Sequence, residues 1–259
     1  MKKIIYILLI IITGSLGIAS RPAMAIPTLQ LDIEGGSYDT TTETIVASGN
    51  PFTLYALLIP DSKNTLSDWY YISAAVVPKT GPADVSLGSF SITGDILTPL
   101  PGDANNTILV TEEMVYGVPP LETVSSLQGW DKGDLPKHGI YSTYFAEFGF
   151  QFSSSNKATP YNTQDDTGAG PAPNSSGSMY YAAFTINTEL LDPDYVIHFD
   201  LYNKKLKDCT VGADCDITQF APFSHDAESG KVPEPATLLL LGMGLVGLSL
   251  FGRRKNHRA

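Results

Sequence analysis

The chain has 259 residues, of which 43% are hydrophobic, so it can bury a core and is not wholly disordered. Its 16 basic and 27 acidic residues leave a net charge of -11, which excludes nucleic-acid binding because phosphates repel an acidic surface. The charge is unevenly distributed: residues 1–25 and 232–259 are basic, whereas residues 26–231 hold 9 Lys and 26 acidic residues. Basic ends therefore flank an acidic body.

The first 25 residues have the three parts of a secretory signal peptide. Lys2 and Lys3 precede the apolar run 4–12, and the small residues Ala23 and Ala25 form the A-x-A pattern that signal peptidase reads. A retained membrane anchor is the alternative, but nine strongly apolar residues are short for a span that needs about 20. The sequence therefore predicts export and cleavage after Ala25.

A second apolar run lies near the C-terminus, at residues 236–251. These 16 uncharged residues would form a helix of about 24 Å, which can cross a bilayer core of about 30 Å with some local thinning. Arg253, Arg254 and Lys255 follow as a stop-transfer cluster that stays in the cytoplasm. The sequence thus predicts a short transmembrane helix in the inner membrane, with the body 26–231 outside it.

The segment 232–237, just before this helix, contains the triplet Pro233, Glu234 and Pro235. Each proline fixes φ and lacks an N–H, and the residue before a proline is extended, so the triplet forms an extended segment at the membrane face. A Pro-Glu-Pro triplet, a short apolar helix and a basic tail (253–258) in this order resemble the PEP-CTERM family of sorting signals.

The resemblance implies that residues 232–259 are recognised by exosortase, a membrane-embedded cysteine peptidase. Pro233, Glu234 and Pro235 would be the recognition residues. The processed body would pass from an inner-membrane intermediate to the cell envelope surface or the extracellular matrix. A plain C-terminal membrane anchor that is never cut is the alternative.

The body, residues 26–231, shows period-2 and short β-rich runs rather than helical periodicity. The predicted strands are 29–33, 44–47, 52–59, 69–77, 86–92, 107–116, 141–152, 179–187 and 195–202. Turn residues such as Gly35 and Gly36 separate them. About nine strands without a convincing helix favour an all-β fold, an antiparallel β-sandwich, in a single domain.

One connection in the body is unusually long. Residues 153–178 are rich in Ser, Asn, Gly, Ala and Pro and contain no apolar run, and their 26 residues exceed the usual loop length. Such a loop is either functional or disordered. We expect a flexible, disordered loop that joins two strands of one domain.

The two cysteines of the sequence, Cys209 and Cys215, are close together, and in an exported protein they are expected to form a small disulfide loop. Asp208, Asp214 and Asp216 surround that loop, and carboxylate oxygens suit Ca²⁺, so these three are candidate calcium ligands. Their spacing does not fit an EF-hand, and solvated turn residues need no ion. No cofactor is expected otherwise, and calcium stays an open alternative.

Catalytic residues are not evident in the body. His198 falls in the predicted strand 195–202, where a half-buried or core role is the default. Only the consecutive residues Ser224, His225 and Asp226 look catalytic by composition. Neighbours in sequence rarely assemble a triad, and the sequence has no G-x-S-x-G nucleophile elbow. We therefore expect no enzyme; an extracytoplasmic hydrolase that uses His225 is the alternative.

Aromatic residues are frequent in or beside the predicted strands, where exposed rings could stack on sugars: Trp69, Tyr70, Tyr71, Trp130, Tyr141, Tyr144, Tyr180 and Tyr181. Most strand aromatics pack in the core instead. Residues 31–39, 51–57 and 222–226 resemble the choice-of-anchor class of bacterial surface domains, which are similar bodies attached to different C-terminal sorting signals. That resemblance implies an adhesive or biofilm-matrix role, with exopolysaccharide as a candidate partner.

Overall fold

The computed structural model describes residues 25–82, 85–98, 106–117, 142–207 and 216–230. These residues contain fourteen β-strands, one short helix and one 3-10 turn. In chain order the strands are β1 (Leu29–Ile33), β2 (Ser37–Asp39), β3 (Thr44–Val46), β4 (Phe52–Leu58), β5 (Tyr70–Val77), β6 (Ser89–Gly94), β7 (Thr107–Leu109), β8 (Val115–Gly117), β9 (Thr143–Phe150), β10 (Lys157–Ala158), β11 (Met179–Asn187), β12 (Val196–Lys207), β13 (Asp216–Phe220) and β14 (Asp226–Glu228). The helix, α1, is Val110–Glu113, and the 3-10 turn is Phe223–His225.

The strands form two sheets, which we call sheet A and sheet B. Sheet A has the order β1-β4-β11-β6-β7, with β10 also paired to β11. Sheet B has the order β2-β3-β14-β12-β5-β9-β8, with β13 also paired to β12. The strand pairs are antiparallel, apart from the parallel pair of β14 and β3. The predicted all-β antiparallel sandwich is thus confirmed.

The core lies between the two sheets, because their strands direct alternate apolar side chains toward each other. Phe184 on β11 of sheet A contacts Phe148 and Phe150 on β9 of sheet B, with ring centroids 5.3 and 5.2 Å apart. Phe52 on β4 meets Phe199 on β12 at 6.3 Å. These edge-to-face pairs join the sheets, and each ring removes a large apolar area from water.

The prediction of a single strand over residues 107–116 is wrong. β7 pairs with β6 in sheet A and β8 pairs with β9 in sheet B, and α1 lies between them. Val110 of α1 is buried, while Glu113 turns back so that its Oε2 accepts a hydrogen bond from the N–H of Leu109 at 2.6 Å. A helical turn therefore interrupts the β-rich run and lets the chain cross from one sheet to the other.

The other predicted strands are present, β1 and β11 with the predicted bounds and the rest with shifted ends. β6 begins three residues later than predicted, and β12 extends to Lys207. The sequence pattern does not predict β2, β10, β13 or β14. These strands are short, and pairing with a neighbouring strand holds them rather than a strong apolar alternation of their own.

Residues 153–178 fold over the outer face of sheet A, and we call them the cover segment. Their strand β10 pairs with β11, and Thr163 is fully buried. The N–H of Thr163 donates to Gln30 Oε1 at 3.0 Å, and Gln30 Nε2 donates to the carbonyl of Tyr161 at 3.1 Å. The expectation of a disordered loop is therefore wrong, because the polar groups of this segment find partners on β1, far away in sequence.

Asp32 is the main anchor of the cover segment. It is fully buried, although its position on β1 points away from the core. Its Oδ1 accepts hydrogen bonds from the N–H groups of Ile33 at 2.9 Å and Gly168 at 3.0 Å. Its Oδ2 accepts from the hydroxyl of Tyr161 at 2.8 Å and from the N–H of Gly170 at 3.2 Å. Burial raises the pKa of this carboxyl, and the four donors oppose that rise by stabilising the charged form.

Gly168 lies where the cover segment comes closest to the turn after β1. Its φ is +76°, and a Cβ at this position would lie 2.4 Å from the carbonyl oxygen of Gly36. Its own carbonyl accepts a hydrogen bond from the N–H of Gly35 at 2.9 Å. A residue without a side chain is required for both the left-handed backbone and the close approach.

We expect Asp32→Ala to lower the free energy of unfolding by about 3 kcal/mol, because it leaves buried donors without an acceptor. Urea unfolding measures this loss, and limited proteolysis should then cut within the cover segment. Asp39→Ala is the control, because Asp39 is exposed yet also accepts a backbone hydrogen bond, from the N–H of Thr41 at 2.7 Å. Equal effects of the two substitutions would contradict the anchoring role.

Candidate functional site

Four ionisable side chains gather on the outer face of sheet B: His198, Asp200, Asp226 and Glu228. We call them the His198 cluster. The first two lie two residues apart on β12 and the last two lie two residues apart on β14, so each pair points to one face of its strand. The strands are neighbours, and His198 lies opposite Glu228 in the register. Alternation and strand pairing together assemble the cluster.

His198 lies at the centre of the cluster. Its Nε2 is 3.5 Å from Asp200 Oδ1 and 3.9 Å from Asp226 Oδ2. Its Nδ1 is 3.8 Å from Glu228 Oε2. His198, Asp200 and Asp226 each offer one possible metal-ligand atom, and these three atoms lie within 4.8 Å of one another. The side chain of Asp226 is only 2% exposed and that of His198 is 16% exposed, so the charges are largely withdrawn from water.

The charges of the cluster shift its pKa values. Burial lowers the pKa of His198, but the carboxylates of Asp200, Glu228 and Asp226 outweigh burial, so this pKa lies well above its usual value. Burial, together with the nearby Asp200, raises the pKa of Asp226 above its usual range, and a charged His198 opposes this rise. Three carboxylates around one imidazole favour a bound positive charge. That charge can be a proton on the ring or a metal ion held by nitrogen and oxygen donors.

The sequence pattern alone assigns His198 to a half-buried strand position and does not connect it with the three carboxylates. The available signal is a His-x-Asp pair in one β-rich run and an Asp-x-Glu pair, Asp226 to Glu228, in another. Nothing in the linear sequence says that these two runs are adjacent. The pairing of β12 with β14 supplies that information.

The predicted disulfide and calcium site lie largely outside the described residues. The segment between β12 and β13, residues 208–215, contains Cys209, Cys215, Asp208 and Asp214. Asp216 is the first residue of β13. The disulfide and calcium binding therefore stay predictions.

His225 is 3% exposed and lies in the 3-10 turn before β14. Its Nε2 is 3.0 Å from Asn162 Oδ1 of the cover segment, and its Nδ1 is 2.9 Å from Ser224 Oγ. Because an amide oxygen only accepts, Nε2 carries the proton and Nδ1 accepts from the Ser224 hydroxyl. Burial lowers the pKa of His225 to about 4, so the ring is neutral. Asp226 belongs to the His198 cluster, and the three consecutive residues do not form the hydrogen-bonded chain of a triad.

The aromatic residues considered for sugar contact fall into different environments. Two are buried in the core, Tyr70 and Tyr144. Two lie outside the described residues, Trp130 and Tyr141. Three are half-buried, Tyr71, Tyr180 and Tyr181. Trp69 is the most open of the set within the described ranges, at 43% exposure.

Trp69 and Tyr71 lie over Gly149 on the outer face of sheet B. A Cβ at Gly149 would lie 2.8 Å from Thr98 Cγ2, 3.0 Å from Tyr71 Cε1 and 3.4 Å from Trp69 Cε3, so the missing side chain makes room for all three side chains. Tyr71 also stacks on Tyr202, with ring centroids 6.1 Å apart. The Tyr202 hydroxyl donates to the carboxylate of Glu147. Trp69 is thus an exposed ring at the end of a packed aromatic row.

The outer face of sheet A has an open groove near the start of β4, and a pair of tyrosine rings lies farther along the same face. The groove has a volume of about 240 Å³ and is lined by Glu34, Gly49, Pro51, Phe52, Thr53 and Thr185. Tyr55 follows Thr53 at the next outward position of β4. Its ring meets that of Tyr181 edge-to-face at 6.2 Å, and its hydroxyl donates to Glu34 Oε2 at 3.4 Å. The face therefore combines hydroxyls, a carboxylate and partly exposed rings.

Both sequence-predicted ends of the chain lie outside the described residues. Ala25 is the first residue described, and Ala23 is not described. The same holds for the predicted transmembrane helix 236–251 and for the triplet and basic cluster that flank it: Pro233, Glu234, Pro235, Arg253, Arg254 and Lys255. In the ranges that the structure does describe, every helix is too short or too polar to cross a membrane.

Residues 231–255 match a protein family described as the PEP-CTERM protein-sorting motif. The chain carries a PEP-CTERM sorting motif. This motif is the recognition signal for exosortase processing, and it implies export to the cell envelope surface. The resemblance assigned from Pro233, Glu234 and Pro235 is therefore confirmed.

No curated protein matches the chain in sequence. Among solved structures it is similar to the collagen binding subdomain of Enterococcus faecalis surface protein ACE, at 9% identity over 80% of this chain and 97% of that chain, with a TM-score of 0.22. A structure of manganese lipoxygenase of Gaeumannomyces graminis, described with a partial structure of zonadhesin of Komagataella pastoris, is 12% identical over 79% of this chain and 53% of that chain, with a TM-score of 0.19. Scores this low support no argument about function.

The neutral, buried His225 predicts a loss of stability in acid. Its pKa of about 4 in the folded protein is below the value of about 6.5 for an unfolded chain, so the unfolded state binds the proton first as pH falls. We expect wild type to lose about 2 kcal/mol more than His225→Gln between pH 7 and pH 4.5, as measured by urea unfolding. Parallel pH profiles for the two proteins would rule out this contribution.

Proposed function

We propose that this protein is an exported, non-catalytic component of the cell surface or extracellular matrix, where its body acts in adhesion or in association with exopolysaccharide. The PEP-CTERM motif at residues 231–255 carries this proposal, because it is the signal for exosortase processing. The β-sandwich is the part that would remain at the envelope surface or in the matrix after processing.

The environment of His225 supports a body without hydrolase activity. A general base needs a free lone pair within reach of the substrate, but both ring nitrogens are occupied by Ser224 and Asn162 and the side chain is 3% exposed. An extracytoplasmic hydrolase built on this histidine would have to undock the cover segment to expose it. A panel of ester and glycoside substrates tests this alternative. Turnover that His225→Ala abolishes would contradict the proposal.

The groove and the Tyr55–Tyr181 ring pair on the outer face of sheet A form the surface that we propose for sugar contact. Sugar rings present C–H faces, which pack on aromatic rings such as those of Tyr55 and Tyr181, and hydroxyls, which can bond to Glu34, Thr53 and Thr185. Because residues 26–231 hold 26 acidic residues and 9 Lys, a polyanionic chain would be repelled. A neutral polysaccharide is therefore the better match.

We expect Tyr181→Ala to weaken binding to purified neutral exopolysaccharide about fivefold, because one ring contact contributes about 1 kcal/mol. Affinity electrophoresis or a pull-down from the polysaccharide measures the change. Trp69→Ala is the matched control, since it removes an exposed ring from the opposite sheet. If only Trp69→Ala weakened binding, the sugar contact would lie on sheet B, and the proposed contact surface on sheet A would be wrong. No binding by wild type would overturn the sugar-binding role itself.

The sorting motif predicts that replacing Pro233, Glu234 and Pro235 together by alanine blocks processing. We expect the variant to accumulate in the membrane with its C-terminus intact, because the extended recognition segment is lost. Cell fractionation and mass spectrometry of the C-terminal peptide measure this. Glu189→Ala, an exposed change in the body, should be processed like wild type. Wild-type protein that stays membrane-bound and uncut would indicate a plain anchor.

A further inference from the structure

We propose that the His198 cluster is a metal site that binds one zinc-type divalent ion through His198 Nε2 and one carboxylate oxygen each from Asp200 and Asp226. None of its ligands belongs to the sorting motif, lines the sheet A groove or is one of the calcium candidates Asp208, Asp214 and Asp216. Its role would be structural, since it would tie β14 to β12.

The donor set and its spacing suit a transition metal. Zn²⁺ binds imidazole nitrogen and carboxylate oxygen at about 2.0–2.2 Å, which separates neighbouring donors in a tetrahedron by about 3.4 Å. The distances from His198 Nε2 to Asp200 Oδ1 and Asp226 Oδ2 are 3.5 and 3.9 Å. Small side-chain rotations would therefore complete the geometry. An imidazole donor argues against Ca²⁺ and Mg²⁺, which take oxygen ligands.

Glu228 occupies the position that an outer partner of a metal-bound histidine takes. It faces Nδ1 of His198 at 3.8 Å, while Nε2 faces the two aspartates. A carboxylate on the far nitrogen favours a proton there, which leaves the Nε2 lone pair for the ion. The same arrangement orients the imidazole ring toward the two carboxylates.

Ser73 gives a second, independent indication of a ligand. It lies directly opposite Asp200 on β5, so both side chains are on the same outer face. Ser73 is fully buried, and its Oγ has no hydrogen-bond partner within the part of the chain that the structure describes. A water molecule at the fourth position of a zinc ion would give this hydroxyl a partner.

The ion would also add a link between a short strand and its neighbour, beyond the pairing of β14 with β12 and β3. β14 has three residues, Asp226–Glu228, and brings two carboxylates next to β12. A divalent cation would offset the repulsion between Asp200 and Asp226 and would join the two strands through coordinate bonds.

The test is a zinc titration of the full chain, purified in detergent without an affinity tag and freed of metal with a chelator. Isothermal titration calorimetry should give one Zn²⁺ per chain that is lost or weakened at least tenfold in His198→Gln and Asp226→Asn. Glu228→Gln should weaken zinc about tenfold while keeping the stoichiometry, because it acts through the imidazole. Zinc should also raise the Tm of wild type and not that of His198→Gln.

Asp194→Asn is the matched control, because Asp194 is an exposed aspartate in the turn before β12. It should bind zinc like wild type. Should Asp226→Asn fail to fold, Glu228→Gln and His198→Gln still test the site, with circular dichroism to verify their folds. Absence of zinc binding by wild type, equal affinity in all variants, or binding of Ca²⁺ in place of Zn²⁺ would each overturn the proposal.

Discussion

The burial of the Asp32 carboxylate is the constraint on which the arrangement of the chain around the sandwich depends. A buried carboxylate is strongly unfavourable unless donors surround it. Here one donor comes from β1 itself and three come from the cover segment. The Asp32 carboxylate is therefore stable in its buried position only while the cover segment is docked on β1. Through Asn162 the cover segment also contacts His225, so the same docking links sheet A to the turn that leads into β14.

His198 and His225 are both withdrawn from water, but their surroundings shift their pKa values in opposite directions. His225 is buried among neutral hydrogen-bonding groups, and desolvation lowers its pKa. His198 is also withdrawn from water, but carboxylates surround it and raise its pKa. Asp226 directly follows His225 and yet belongs to the other environment, because the 3-10 turn that ends at His225 holds its ring against Asn162, whereas Asp226 begins β14 and faces His198. Ser224, His225 and Asp226 therefore do not form the hydrogen-bonded chain of a triad.

The sorting motif and the body depend on different kinds of information. A peptidase reads residues 231–255 as a contiguous segment, so the motif needs only local geometry and hydrophobicity. The surfaces of the body instead depend on which strands are neighbours. The contact of Tyr55 with Tyr181 exists because β4 pairs with β11, and the His198 cluster exists because β12 pairs with β14. Sorting thus depends on a contiguous segment at one end of the chain, whereas the surfaces of the body depend on its fold.

The sequence by itself determined the β-rich class, most of the strands and the sorting motif, because period-2 alternation and contiguous signals are local properties. β11 has the expected bounds, and β9 lies within the run 141–152. Only the tertiary structure decided that residues 107–116 change sheets, that the cover segment is folded, and that His198 meets Asp226. These outcomes depend on polar partners and strand pairings between residues far apart in the chain, and no local pattern records which distant groups will meet.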